Sequence, residues 1–585
     1  MKKPIKIALS IVAVAIGIAA ALASWILAGG LRPSPPPHQA FVGGSVLTMG
    51  ADTLPKQAVL LAGDRIAAVG SDAEILAAAP PQTVITDLGG RTLMPGIIEA
   101  HGHFPGAGLD AIAVDLNAPP IGDVADMETL LTRLRLELEA KPDDDWIFGF
   151  GYDDTLLGEG RHPTRDDLDA VSKDRPIFIL HVSGHMGVAN SAALAAFDLD
   201  ENSVDPDGGL IEREPNSRRP SGVLYETACE PLRERSVDVG FSDKRAALAR
   251  ALELYTQAGV TTAQNGLATE TLIDGLVLGA RIAAIPLRLV LWPDWDASEK
   301  LARDEMGVEE GAFLRLGATK LIADGSIQGY TAFLREPYYR AATHGPYANA
   351  DWRGEPTLKR GVLIDRVTTL FGQGRQVAIH GNGDAAIDMI LDAVEIARAA
   401  YPGEGRRTIL IHAQTMRNDQ IERARELEVT PSFFAAHIWY WGDRHRDVFL
   451  GPERAARISP LASADAAGLR YTTHLDTPVV PMDPWLSAAA AIERRTASGA
   501  VLGSAERISA ERALRSMTID AAWQVFREED VGSIEVGKLA DLIVLDRDPV
   551  ASTTNLAEVK VLATIVGGVP IFEADGFAVS RPPNQ

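Results

Sequence analysis

Two histidines flank a single glycine in His101-Gly102-His103. Residues two apart on an extended chain share a face, so both imidazoles project the same way with only Gly102 between them. Neutral imidazole is the commonest protein ligand for a divalent transition metal. Taken alone, the pair fits two hydrogen-bonded strand histidines equally well, and the rest of the chain decides. His380 closes the apolar run 376–380 and is followed by Gly381-Asn382-Gly383-Asp384. His412 closes the run 408–412, Asp476 follows the run 470–474, and Lys320 lies in the run 314–322. Four histidines, a lysine and an aspartate, each at the end of an apolar run, predict one shared coordination shell.

Such a shell needs elements that bring separate strand ends together. Short apolar runs at 92–100, 260–264, 287–291, 314–322, 376–380, 408–412, 429–434 and 470–474 alternate with amphipathic helical stretches. Ser242 reads as the N-cap of a helix reaching Tyr255, and 386–399 carries Ile387, Ile390, Leu391, Val394 and Ala397 on one face. Strands alternating with helices make a parallel sheet, and eight of them predict a closed (β/α)₈ barrel of the TIM type, with its site at the carboxyl ends of the strands. Strand-like runs at 41–49, 58–61 and 66–69, with a hairpin turn at Ala62-Gly63-Asp64-Arg65, share their texture with 540–545 and 561–566. These predict a small split β-sandwich domain built from both ends of the chain. The expected organisation is an N-terminal segment and linker over 1–39, a sandwich from 40–94 and 485–585 that includes late barrel helices, and a metal-dependent barrel over 95–484. An inserted subdomain at about 115–240 is too long for a simple connection.

The chain of 585 residues is 46% hydrophobic and 23% charged, the mix of a globular protein with a large core. A formal net charge of -23 excludes nucleic acid as a partner, since a phosphate backbone needs a basic face. The lone cysteine, Cys229, excludes a disulfide framework and a cysteine-rich metal site. At the N-terminus, Lys2, Lys3 and Lys6 precede an apolar run over 7–31, then Arg32-Pro33-Ser34-Pro35-Pro36-Pro37. A signal-peptide core is roughly 7–15 residues and a membrane span about 20. The run is nearer the second, yet Ala21-Leu22-Ala23 offers a cleavage site. Both a cleaved signal and an inner-membrane anchor predict an exported, periplasmic body.

His101-Gly102-His103 preceded by Met94-Pro95-Gly96, together with the ending 532–542, resembles the amidohydrolase superfamily. Lys320 to Ser326, His380 to Asp384, and Asp476 to Val479 with Asp483-Pro484 resemble its amidohydrolase-3 subgroup, the one that contains N-substituted formamide deformylase. The resemblance covers roughly 40–575. It implies the barrel and split sandwich, and an enzyme acting on carbon–nitrogen bonds other than peptide bonds. It implies that His101 and His103 bind one divalent metal, zinc by preference, and His380 and His412 a second. Lys320, carboxylated by CO2, would bridge them, or one metal alone would remain without that carbamate. Asp476 would bind the first metal and carry a proton while a metal-activated hydroxide attacks the substrate carbonyl. Leu475 stands where the family commonly has serine, and Ile411 where an acidic residue is common.

Substrate contacts are expected from His185 in the His181-Val182-Ser183-Gly184-His185 stretch, from Trp292, from Trp439 in the aromatic cluster 433–441, and from His474, which also fits a supporting role beside Asp476. Aromatic residues at the catalytic end suit an aromatic or hydrophobic small-molecule substrate. Alternatives on the same scaffold are a lactone or ester hydrolase, an isomerase, and a non-catalytic membrane-tethered binding protein.

Overall fold

β-branched and apolar runs separated by helices form two arcs of parallel strands. The computed structural model describes residues 32–51, 56–142, 145–343 and 345–581. One arc is β1 (Ile97–Ile98), β2 (Val260–Ala268), β3 (Arg288–Pro293) and the first half of β4 (Leu314–Leu316). Gly317-Ala318 interrupts β4, whose second half, Thr319–Ile322, opens the other arc. That arc continues with β5 (Val377–Gly381), β6 (Thr408–His412), β7 (Val429–Phe433) and β8 (Thr472–Thr473). Every neighbouring pair is parallel. The first and eighth strands meet just beyond their ends, where the Asp476 amide donates to the His101 carbonyl (3.1 Å) and the His103 amide to Thr477 (2.8 Å). The result is a (β/α)₈ barrel with a buried, strand-packed interior.

The helices bury the predicted faces. Asp384–Ala400 turns Ile387, Ile390, Leu391, Val394 and Ala397 inward. The helix predicted from Ser242 spans Phe241–Gln257 and starts at Gly240 without a side-chain cap. Ser242 falls inside its first turn, with its hydroxyl turned to Asp243 (3.5 Å).

A sandwich stands at the other end of the strands. One sheet holds Arg65–Gly70, Ala58–Ala62, His38–Val42 and Val84–Asp87. The second joins Ser45–Val46 and Thr92–Pro95 to Leu542–Leu545, Val561–Val566 and Val569–Glu573. Its core therefore mixes Phe41, Val59 and Leu93 with Leu542, Val544 and Ile565. Arg32 is pinned at the foot of the barrel, donating to Ile285 (3.1 Å) and Ala280 (2.7 Å) carbonyls. The apolar run 7–31 lies outside the described residues. Among the described residues, no helix is long and apolar enough to cross a membrane.

Between β1 and β2 the chain builds a six-stranded sheet of its own. Its order is Gly209–Arg213, Pro220–Glu226, Met186–Ala189, Ile177–His181, Ile147–Tyr152 and Val114–Asp115. Apolar clusters pack on both sides of it, one around Leu130, Ile179 and Val223 and another around Phe178, Leu224 and Leu232. Buried Cys229 belongs to the second cluster, as a small apolar side chain.

Candidate metal centre

β1 ends at Ile98, three residues short of His101, and the chain beyond it still delivers both histidines to one carboxylate. His101 Nε2 and His103 Nε2 each stand 3.2 Å from Asp476 Oδ1. His101 is wholly buried and Asp476 nearly so, whereas His103 is partly open to the barrel mouth. His412 closes β6 and places Nε2 3.0 Å from His380 Nδ1 and 3.9 Å from Asp476 Oδ2. Lys320, on β4, puts Nζ 3.1 Å from His101 Nε2. All six residues singled out by type and position thus line one buried cluster. Within it, ligand atoms of His101, His412 and Asp476 all lie within 4.8 Å of one another.

The backbone is strained where the candidate ligand atoms are presented. His412, Ala413 and Asp476 all adopt left-handed conformations, with φ of 72°, 49° and 59°. Non-glycine residues pay about 1–3 kcal/mol for such a state and hold it only when their surroundings impose it. Gly266 on β2 comes so near that a Cβ there would lie 2.1 Å from His101 Cε1. Gly266→Ala is expected to fold but to push His101 aside. Its kcat/KM, measured against that of the parent, should fall by about 10²-fold, as for a misplacement of about 1 Å at a reacting centre.

Hydrogen bonds fix the tautomers. His380 Nε2 lies 3.0 Å from both the Gly325 carbonyl and Asn382 Nδ2, and the tautomer that donates to the carbonyl leaves Nδ1 as the lone pair facing His412. His412 Nδ1 donates to His474 Nε2 (3.1 Å), and His474 Nδ1 donates to Ser432 Oγ (2.9 Å). The chain continues through Thr472 Oγ1 to the Gln524 carboxamide, which donates to the Ala100 carbonyl beside His101. His412 Nε2 is then a lone pair too. Two lone pairs 3.0 Å apart repel unless a cation lies between or beside them. His101 Nδ1 also makes no hydrogen bond although buried. Burial, with Lys320 nearby, holds His101 well below the usual imidazole range. Burial and then His185 do the same to His380, and burial and then His380 to His412. Burial takes His474 down to about 3. Burial favours protonation of Asp476, but hydrogen bonds from His101 and His103 outweigh it and keep the group a carboxylate. Neutral imidazoles around an anionic oxygen are the donor set of a divalent ion of the zinc type, so the residues fit one.

Residues 84–572 match the Amidohydrolase family. The chain belongs to that family. Its relative N-substituted formamide deformylase of Arthrobacter pascens is 30% identical, over 92% of this chain and 98% of that one. An uncharacterized metal-dependent hydrolase from Pyrococcus furiosus superposes with a TM-score of 0.67 at 28% identity, over 88% of this chain and 100% of that one. Another, from Pyrococcus horikoshii OT3, superposes at 0.71 with 25% identity, over 89% and 99%. This amidohydrolase is a metal-dependent hydrolase.

The four residues expected to touch substrate are placed differently from one another. His185 comes down from the insert, with its ring 5.1 Å from that of His380 and its Nδ1 2.8 Å from Glu226 Oε2. Trp439 is half-buried at the mouth, packed in a cluster with Tyr330 and Phe449. Trp292 is wholly buried and stacks on His101 at 5.3 Å, so it wedges the ligand from below and meets no open space. His474 is buried behind His412, where it orients that ring. Asn190 caps the helix Ser191–Ala196 through its side chain. Three supporting groups escaped sequence reasoning. Asp324 accepts from the Phe333, Asn382 and Gly383 amides and holds the loop after β5. Glu99 accepts from the Leu475 amide (3.0 Å) beneath the cluster, and Glu226 orients His185. The signal for Glu99 was its place two residues before His101, the spacing that shares a face on an extended chain.

Proposed function

We propose that this amidohydrolase cleaves the carbon–nitrogen bond of a formamide, amide or cyclic amide bearing an aromatic or hydrophobic group. The observation that carries the reading is Asp476, a buried carboxylate touching two ligating imidazoles at the mouth of a barrel related to a formamide deformylase. His101 and His103 would hold one zinc ion with Asp476, and His380 and His412 a second. A divalent ion bound there supplies Lewis-acid activation of water and of a carbonyl. Asp476 accepts the proton that the attacking water gives up and returns it to the leaving nitrogen. His185, steadied by Glu226, faces the substrate from the insert, and Trp439 lines the apolar side.

The proposal is tested with the zinc-loaded enzyme on a panel of N-substituted formamides, amides, cyclic amides, lactones and esters. Amine release from the nitrogen substrates supports it. Turnover of lactones or esters with none of the nitrogen substrates replaces it with the oxygen-ester reading. Trp439→Ala is expected to raise KM for aromatic substrates about 10-fold, roughly 1.4 kcal/mol of lost contact, with little change for small ones.

Lys320 is 4% exposed, and burial brings its amine down to about 7, so a neutral amine is present at neutral pH. A neutral amine adds CO2 and loses a proton, which yields an anionic oxygen bridge suited to two ions. Lys320→Ala is expected to bind at most half the parent's metal, measured by plasma mass spectrometry, with partial recovery in a short-chain carboxylic acid. An unchanged metal count removes the carbamate from the scheme. We also infer that 7–31 exports the protein to the periplasm, as a cleaved signal or an anchor, which N-terminal sequencing of the fractionated protein distinguishes.

A further inference from the structure

We propose that the insert carries a second, separate divalent-cation site, formed by Asp153, Asp154 and His181, which braces the insert over the barrel mouth. The two aspartates follow the strand Ile147–Tyr152, and His181 closes the adjacent parallel strand Ile177–His181. A register shift at Leu180/His181 sets His181 opposite Tyr152, next to both carboxylates. Ligand atoms of the three residues lie within 4.8 Å of one another, and all three residues are buried. His181 Nε2 is 3.3 Å from Asp154 Oδ1 and 4.0 Å from Asp153 Oδ1. Ligands at 2.0–2.2 Å from a tetrahedral ion stand roughly 3.3–3.6 Å apart, so a small contraction suffices.

His181 is the observation that points to an ion. It is 0% exposed, and its Nε2 makes no hydrogen bond. The Ser183 amide and hydroxyl both lie at its Nδ1, at 3.2 and 2.8 Å. If Nδ1 accepts from the amide, the Nε2 N–H faces the two carboxylates without hydrogen-bond geometry. If Nδ1 donates to the hydroxyl, Nε2 is a lone pair facing two carboxylates. The second state costs about 1–3 kcal/mol when buried, and a cation relieves it outright. The partners of Asp153 are neutral, namely the Thr155 amide (2.9 Å), the Thr155 hydroxyl (2.7 Å) and Trp441 Nε1 (3.1 Å). A divalent ion offsets the charge of that carboxylate. His162 Nε2 lies 3.7 Å from Asp154 Oδ2. Mixed carboxylate and imidazole donors suit zinc or manganese.

The position gives the site its role. Through Trp441 the cluster reaches the helix His437–Arg444, which follows β7. Trp441 packs on His437 (4.4 Å), His437 on Phe434 (4.3 Å) and Phe434 on His412 (5.8 Å). An ion here ties two insert strands to that helix and so holds the insert against the barrel.

The test counts bound ions by plasma mass spectrometry after chelation and reloading with Zn2+, in the parent, Asp154→Asn, His181→Gln, and each of these combined with His101→Ala/His103→Ala. The double His→Ala background removes the imidazoles of the first barrel ion and the activity with them, so an ion lost from that background on an insert substitution is counted independently of the reaction proposed above. One ion fewer is expected with either insert substitution in either background, together with a smaller rise in melting temperature on adding Zn2+. Parental ion counts in both folded insert variants would overturn the site and leave a histidine–carboxylate ion pair. Should those variants fail to fold, Co2+ added to a His101→Ala/His103→Ala/His380→Ala/His412→Ala protein, which lacks all four barrel imidazoles, decides. An absorbing one-equivalent complex supports the site, and none overturns it.

Discussion

Asp476→Asn is expected to fold as the parent does and to lose about 10²–10⁴-fold in kcat, the range for removing a general acid–base group. The fold should survive because the change is isosteric and asparagine accepts the left-handed backbone that Asp476 adopts at φ 59°. The chemistry should not. The carboxylate lies between His101 Nε2 and His103 Nε2, and its pairing with both keeps it ionised despite burial. An amide supplies one neutral oxygen there, so it neither accepts the water's proton nor offsets the charge of an ion. The measurement is kcat at saturating substrate, with metal content determined on the same sample. A folded, metal-replete Asn variant within about 10-fold of the parent would remove Asp476 from the proton path.

The largest effect on stability is expected at the foot of the barrel. Arg288 on β3 and Asp541, just before Leu542–Leu545, form a bidentate pair, Nε to Oδ2 at 2.6 Å and Nη2 to Oδ1 at 2.8 Å. Both side chains are nearly inaccessible. Arg288 also donates to the Ala312 carbonyl (2.8 Å), and Asp541 accepts from the Gly567 amide (2.8 Å). The pair is thus shared between barrel and sandwich. Arg288→Met leaves a buried carboxylate without its counter-ion and is expected to cost about 3–5 kcal/mol in chemical denaturation. Arg288→Met/Asp541→Leu should recover much of that, since an apolar pair leaves no stranded charge. A single substitution costing less than about 1 kcal/mol would show that water enters the joint and screens it.

The candidate ligands could be picked out because a divalent ion accepts few residue types and a barrel offers them few places. His380 and His412 each close an apolar run that becomes a strand, and that is where a parallel strand meets the mouth. The split sandwich was legible in the matching textures of its two ends, and the turn at Gly63 in its dipeptide. The start of the helix Phe241–Gln257 was misplaced because packing, not a side-chain cap, begins it. Trp292 read as a pocket residue because a tryptophan at a strand end looks the same whether it faces substrate or the ring beneath. Nothing local links Glu226 to His185, 41 residues away, or Asp153 to Trp441, 288 away.

The sequence by itself determined which side chains are offered to a metal and on which strand ends they sit, because ligand chemistry and the two-residue period of a strand are local properties. Only the tertiary structure decided how they meet. Closure of the ring through the Asp476 and His103 amides sets the distances around the Asp476 carboxylate. The buried chain from His412 through His474 to Gln524 sets which nitrogen faces inward. Both depend on groups far apart in the chain, whose separation becomes short only when the hydrophobic core forces the strands together.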